Sequence, residues 1–260
     1  MRIDTTKLLQ LAMEMRPVMA DRQRASHTRE KGEKDYVTEV DLLVQSRVTD
    51  QLRRWYPQVQ MLAEEKDNEQ VDTGGDYWIL DPVDGTSNLM HDFHHSALSL
   101  AYCEEGELKF GLIYNPFTDE LFWAEKGKGA FLNGEPIHVS SKKTLEESLI
   151  LFGTCPYHRE RSREDFELFR RVFLRSQDVR RLGSAALDLA YIACGRSDLF
   201  FERDLKPWDY AAGLILIEEA GGTVTDYRQQ RPDARSNSDI VAGNGITETL
   251  FFRDFGSELK

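Results

Sequence analysis

Apolar residues recur at helical spacing at Val40, Val44, Val48 and Leu52, with Leu43 and Trp55 beside them and Pro57 just beyond. Such a stripe buries one side of a helix, and the proline ends it. The stretch Met1–Met19 carries charges throughout, with Leu8, Leu9, Ala12 and Met15 on one face, and predicts an amphipathic helix. The period then shortens to two. Ser96–Cys103 alternates, Leu108–Tyr114 follows a turn at Gly106, and Glu120–Glu125 and Phe131–Val139 follow further turn residues. Strands this close together form hairpins, so the sheet is expected to be antiparallel or mixed. From about Leu149 the pattern alternates between strand and helix. It predicts a strand Leu149–Phe152, a charged helix Arg163–Leu174, a strand near Val179, a helix Ser184–Cys194 and a strand Asp198–Glu202. A helix from Asp209 and short strands Thr223–Thr225 and Ile240–Ala242 complete an α/β chain.

Several apolar runs end in carboxylates. Tyr77–Leu80 leads into Asp81-Pro82-Val83-Asp84-Gly85-Thr86-Ser87-Asn88, and Val59–Ala63 leads into Glu64-Glu65. Lys34–Asp41 is expected to open the helix that follows it, and Pro207 marks a helix start just before Asp209. Strand ends that enter helix N-termini expose free N–H groups to anions. Carboxylates beside an anion site call for a cation between them, so a metal-plus-phosphate site is one reading of the Asp81–Asn88 run. A plain surface turn is the other, because Asp-Pro and Asp-Gly are ordinary turn dipeptides. Two known templates do not fit. A calcium loop places carboxylates at every second position and closes with Glu, and aspartyl-phosphate phosphatases also space their aspartates by two.

Taken together, AEE (from Ala63), DPVDGTSN, LGSAA (from Leu182) and KPWDYAAG…EEAGG (from Lys206) closely resemble the inositol monophosphatase family, from Lys34 to about Asn244. That family comprises magnesium-dependent, lithium-sensitive phosphatases of the sugar-phosphatase fold. The resemblance implies an α+β layered sandwich of the α/β class, one unit over residues 1–260. Two packed lobes, 1–145 and 146–260, would hold the active site in the cleft between them. It implies that Glu64, Asp81 and the Val83 carbonyl bind one metal, and Asp81, Asp84 and Asp209 a second, with Glu64 near a loosely held third. Oxygen-only ligands suit Mg²⁺ first and Mn²⁺ second. Four converging carboxylates would repel by about 4 kcal/mol per pair at 4 Å and an effective dielectric of 20, so such a pocket must protonate or hold cations. Thr86 paired with Asp41 is implied to polarise the attacking water, with no covalent intermediate. The N–H groups of Gly85 and Thr86 are implied to receive the phosphate. Gly183, Ser184 and Ala185 match the segment contacting substrate hydroxyls, and Glu202 matches a carboxylate bonding a ring hydroxyl. Bland readings stand beside the last two, a helix cap for Ser184 and a surface acid for Glu202. Lys206 either faces the leaving group or is solvated. The chain departs from the family pattern at Ala63, usually Gly, and at Leu89, usually Phe. His91, His94 and His95 invite a zinc reading, but no Cys or Glu completes the set, and packing or capping explains them equally.

Composition narrows the partners. The chain has 260 residues, 40% of them hydrophobic, enough for a substantial core. A formal net charge of −12 argues against a binder of nucleic-acid backbone. Cys103, Cys155 and Cys194 are scattered and odd in number, which suggests reduced, mostly buried thiols in the cytoplasm. No targeting segment or apolar run of membrane-spanning length is visible. The expected enzyme hydrolyses a small polyol or sugar monophosphate, inositol monophosphate first, as a homodimer. Fructose 1,6-bisphosphate, NADP(H) or histidinol phosphate are alternatives on the same mechanism. A nucleotide 3′-phosphatase is disfavoured, because that branch has Lys-Gly where this chain has Ser87-Asn88. A non-catalytic regulatory protein on the same fold is the reading from another class.

Overall fold

The computed structural model describes residues 3–32, 35–155 and 158–259. The amphipathic N-terminal stretch forms α1 (Thr5–Glu14) and α2 (Arg16–Met19), not one helix. Pro17, in the first turn of α2, lacks the N–H that an unbroken helix would need. Met1 and Arg2 lie outside the described residues. After α3 (Arg22–Ala25), strands β1 (Thr28–Gly32) and β2 (Asp35–Thr38) pair as an antiparallel hairpin. The expectation that Lys34–Asp41 opens a helix is therefore corrected. Lys34 lies outside the described residues, Tyr36-Val37-Thr38 are β-formers, and α4 (Glu39–Trp55) starts only after Thr38. Thr38 caps it, accepting from the Val40 and Asp41 N–H groups, while the Asp41 carboxylate accepts from the Thr38 N–H at 2.9 Å.

Strands β3 (Gln60–Ala63) and β4 (Tyr77–Asp84) pair in parallel. The short helix α5 (Thr86–Met90) follows, and then a meander of β5 (Ala97–Glu104), β6 (Glu107–Asn115) and β7 (Glu120–Glu125). The run expected as one strand over Phe131–Val139 is broken into β8 (Ala130–Leu132) and β9 (Glu135–Ile137) by Asn133-Gly134. Both turn residues have positive φ, the signature of a tight hairpin. These strands form a seven-stranded sheet in the order β3-β4-β5-β6-β7-β8-β9. The second half of the chain supplies β10 (Leu149–Phe152), α6 (Ser162–Phe173), β11 (Asp178–Arg180), α7 (Ala185–Ala193) and β12 (Leu199–Leu205). It continues with α8 (Pro207–Glu219), β13 (Thr223–Thr225), β14 (Ser238–Gly243) and α9 (Thr247–Phe255). Its five strands pair in the order β11-β10-β12-β14-β13.

Layering follows from which face each residue buries. In β4, Tyr77 and Ile79 pack toward α7 and α8, while Trp78 and Leu80 pack toward α1 and α4. Covered on both faces, the strand reads as a continuous apolar run. Helices α7 and α8 are apolar nearly all round because Leu151, Phe200 and Ile240 of the smaller sheet cover their other side. Helices α6 and α9 close the outer face of that sheet, on Ile150, Phe201 and Val241. The result is a layered sandwich of helix, sheet, helix, sheet and helix. No described helix is long and apolar enough to cross a membrane. Cys103 is buried, whereas Cys155 and Cys194 are only partly so, which corrects the expectation of mostly buried thiols.

Candidate active site

The two aspartates of the Asp81–Asn88 run reach one pocket because of a strand irregularity. Along a regular strand, residues three apart point to opposite faces. In β4, however, Asp81 lies opposite Ser99 and Asp84 opposite Ala97, three steps against two, so one extra residue is accommodated. Pro82, which has no N–H to give the ladder, sits in this bulge, and the Val83 N–H turns back to Asp81 Oδ1 at 2.9 Å. The strand therefore continues through Pro82 to Asp84, where a turn after Leu80 was expected.

Asp209, in the first turn of α8, accepts the Lys206 N–H at 2.7 Å through Oδ2. One carboxylate oxygen each from Asp81, Asp84 and Asp209 lies within 4.8 Å of the others. Asp84 also accepts from the Ser184 hydroxyl at 2.5 Å and the Ala186 N–H at 2.7 Å, at the start of α7. Ser184 is thus both the cap of α7, receiving the Leu187 N–H, and a partner of Asp84. Glu64 follows β3 and donates its backbone N–H to the Leu80 carbonyl, which places it beside Asp81. Its carboxylate accepts Lys31 Nζ at 3.0 Å, and that ammonium also reaches Glu65 at 2.6 Å. Asp41 is fully buried, and its Oδ1 accepts the Thr86 hydroxyl at 3.0 Å. Thr86 Oγ1 is also 3.1 Å from the Val83 carbonyl, and its single proton serves one of the two acceptors at a time.

The loop is clamped from several sides. Asn88 donates to the carbonyls of His95 (2.7 Å) and Leu182 (2.8 Å), tying α5 to the segment that enters α7, and Ser96 donates to the Gly85 carbonyl at 2.8 Å. Gly85 has φ of 89°, and a Cβ there would stand 3.0 Å from the His95 carbonyl, so both conformation and space require glycine. Ala63 and Leu89, the two departures from the family pattern, are buried apolar positions.

A cavity of about 600 Å³ opens above the three aspartates, with Gly183, Ala185, Asp188 and Glu202 on its walls. Asp188 was not anticipated. It is 1% exposed, and its Oδ1 meets no hydrogen-bond donor among the described residues. The signal available was an aspartate inside the otherwise apolar run Ala185–Ala193. Lys31 was missed because nothing distinguishes it within a charged stretch. Burial, then the neighbouring negative charges, push Asp81 and Asp209 well above the usual carboxylate range. Burial likewise raises Glu64 to about 7, against the opposing charge of Lys31, and Asp84 to about 6, against its bonds from Ser184 and Ala186. Glu202 is pushed up to about 8 by burial, with Arg181 opposing, and burial also raises Asp41 and Asp188. Acids held this far above their ordinary values bind protons or take up a cation. The three-aspartate group offers oxygen alone, a donor set suited to a hard divalent ion.

The three histidines do not build a zinc site. Among the described residues none of them joins a group of three metal-type ligands. His94 bonds Asp92 at 3.1 Å and stacks on Phe117, and His91 is exposed. His95 packs edge-on against Tyr191, and burial pushes it down to about 4. Lys206 is engaged too, its Nζ lying 3.5 Å from Asp204.

Known proteins are similar to this chain over most of its length. A "Nus factor SuhB" of Xylella fastidiosa is 38% identical over 226 residues, covering 84% of this chain and 80% of its own. A "Fructose-1,6-bisphosphatase/inositol-1-monophosphatase" of Thermotoga maritima is 41% identical over 217 residues, covering 83% and 80%. The crystal structure of the extragenic suppressor protein suhB from Bartonella henselae superposes with a TM-score of 0.89 at 34% identity, over 98% of both chains. With residues 4–259 matching the model of that family as well, the chain belongs to the inositol monophosphatase family.

Proposed function

We propose that the protein is a Mg²⁺-dependent phosphatase that hydrolyses a small polyol monophosphate, with inositol monophosphate as the leading substrate. The observation that carries this reading is the meeting of Asp81, Asp84 and Asp209 within 4.8 Å at the base of the cavity. These carboxylates, the Val83 carbonyl and Glu64 would hold the ions, with Asp81 serving both main positions. Bound there, Mg²⁺ supplies positive charge to the phosphoryl oxygens and lowers the pKa of water.

The remaining chemistry belongs to the chain. Thr86 donates to Asp41 and keeps hydroxyl lone pairs to receive a proton from the attacking water. Asp41, raised by burial, is suited to take the proton that Thr86 passes on. The first N–H groups of α5, from Gly85 and Thr86, would receive the phosphate, and Gly183, Ser184 and Ala185 would contact the substrate hydroxyls. Glu202 accepts a hydroxyl of the polyol, and the buried Asp188 does the same more deeply. Fructose 1,6-bisphosphate, NADP(H) and histidinol phosphate are the substrates that the same machinery would serve next. The same reading carries inhibition by Li⁺, a homodimer, a cytoplasmic setting and no nucleic-acid partner.

Relatives named Nus factor SuhB support a second reading, a regulatory protein on this fold. The complete acidic set favours catalysis. Phosphate release would be measured on inositol 1-phosphate, glycerol 2-phosphate, fructose 1,6-bisphosphate, NADP and histidinol phosphate, each with Mg²⁺, EDTA or added Li⁺. Mg²⁺-dependent, Li⁺-inhibited release, lost in Asp209→Asn, is expected. Silence across the panel from folded protein would overturn the phosphatase reading in favour of the regulatory one.

A further inference from the structure

On the wall of the same cavity a second group of ligand-type side chains converges, with different chemistry. Cys155 Sγ, a ring nitrogen of His158 and a carboxylate oxygen of Asp204 all lie within 4.8 Å of one another. Cys155 and His158 stand three apart in sequence, a ligand spacing, and Asp204 comes from β12. All three line the cavity.

Two further contacts aim these ligands. His158 Nε2 is 3.5 Å from Asp204 Oδ2, while its Nδ1 faces Glu160 Oε1 at 3.2 Å. An imidazole that donates from Nδ1 to a carboxylate leaves its Nε2 lone pair for a metal, the usual outer partner of a ligating histidine. On Asp204, Oδ1 accepts from Asn237 Nδ2 at 3.0 Å, which turns Oδ2 toward His158. Asp204 itself is held at φ of 50° where β12 slips register against β14, with its N–H bonded to Asp239. Lys206 Nζ, 3.5 Å from the same Oδ2, supplies positive charge there and would swing away when an ion enters.

We propose that Cys155, His158 and Asp204 bind Zn²⁺, at a site separate from the three-aspartate group. A thiolate and a carboxylate neutralise the dication, and the imidazole completes a three-ligand set with a fourth position left for water or a cavity oxygen. Thiolate and imidazole favour a softer ion than the all-oxygen triad does, so excess Mg²⁺ should fill the triad without displacing Zn²⁺ from this site.

Cobalt titration of the whole, freshly reduced protein under saturating Mg²⁺ tests this directly. Thiolate-bound Co²⁺ gives a charge-transfer band in the near ultraviolet that carboxylate-bound Co²⁺ lacks. One equivalent of Co²⁺ should produce the band, and Zn²⁺ should abolish it. Cys155→Ser should lose the band, and Asp204→Asn and His158→Ala should weaken binding by about tenfold or more, an effect of the size seen on disturbing metal-site partners. Asp209→Asn should keep the band, which separates this site from the one proposed for Mg²⁺. Absence of the band in the parent protein would overturn the proposal. So would a band that survives in Cys155→Ser, since that places the ion on Cys103 or Cys194.

Discussion

Removing one charge from the aspartate cluster should stabilise the metal-free protein while disabling it. In Asp209→Asn the new side chain keeps an oxygen for the Lys206 N–H, so the start of α8 is preserved. Like-charge repulsion is relieved, from Asp81 and Asp84 within 4.8 Å and from Glu64 and Glu202 as well. At that separation and an effective dielectric of 20, a pair costs about 3.5 kcal/mol. The native pocket already limits this cost by binding protons, so one pair is the better measure, about 3 kcal/mol near pH 8. A chain of this size gains about 2 °C or more per kcal/mol, which gives a rise in Tm of roughly 6 °C in EDTA. The pH dependence has a definite sign. Glu64 and Asp84 titrate near 7 and 6 in the folded protein, above their ordinary values, so the folded state holds protons that the unfolded state has lost. Metal-free stability must then fall as pH rises from about 4 through these values. The advantage of Asp209→Asn should accordingly shrink toward pH 5. Calorimetry in EDTA at pH 5 and 8, then with Mg²⁺, reads all of this, with Mg²⁺ raising the Tm of the parent protein far more than that of the variant. A variant no more stable than the parent at pH 8 in EDTA, or an advantage that grows toward pH 5, would refute the reasoning.

Thr86→Ala removes the hydroxyl between Asp41 and the cavity, and should lower kcat by about 10²–10⁴-fold, as loss of a positioned proton carrier does. Its folding stability should drop by only about 1 kcal/mol, so a large loss in denaturation midpoint would point to a structural role. Lys31→Met takes away the cation that opposes the rise of Glu64, and the acid limb of the pH–rate profile should move to higher pH. An unmoved limb would separate Lys31 from the site. Asn88→Ala leaves the carbonyls of His95 and Leu182 without this donor, at a cost of about 1–3 kcal/mol measurable by urea unfolding.

The parts legible from the chain alone were those written in local pattern. Val40, Val44, Val48 and Leu52 marked a buried helix face, and all four are fully buried. Asp81, Asp84 and Asp209 stood out only through the combined motifs DPVDGTSN and KPWDYAAG, since an acid that closes a strand or opens a helix is by itself an ordinary turn or cap residue. The hairpin β1–β2 left no trace, since all five residues of β1 are exposed and follow no alternation. The bulge at Pro82 was hidden because register against β5 is a relation between strands and has no local sequence mark. The same holds for Lys31 meeting Glu64 and for Cys155 and His158 meeting Asp204, where one partner lies on a distant segment. For Asp188 the clue was present, a single acid within the otherwise apolar run Ala185–Ala193.

The middle layer of helices has a consequence for how such a molecule can change over time. Helices α7 and α8 have no outer face, and each begins at the aspartate cluster, so replacing their side chains disturbs both sheets and the chemistry together. Helix α6 belongs to an outer layer and touches one sheet, yet Ser162, Asp165 and Phe166 at its start border the cavity. Mutational drift is therefore best tolerated on this wall of the cavity. Change is most readily absorbed at the start of α6, with the interior helices held constant as an inherited chassis.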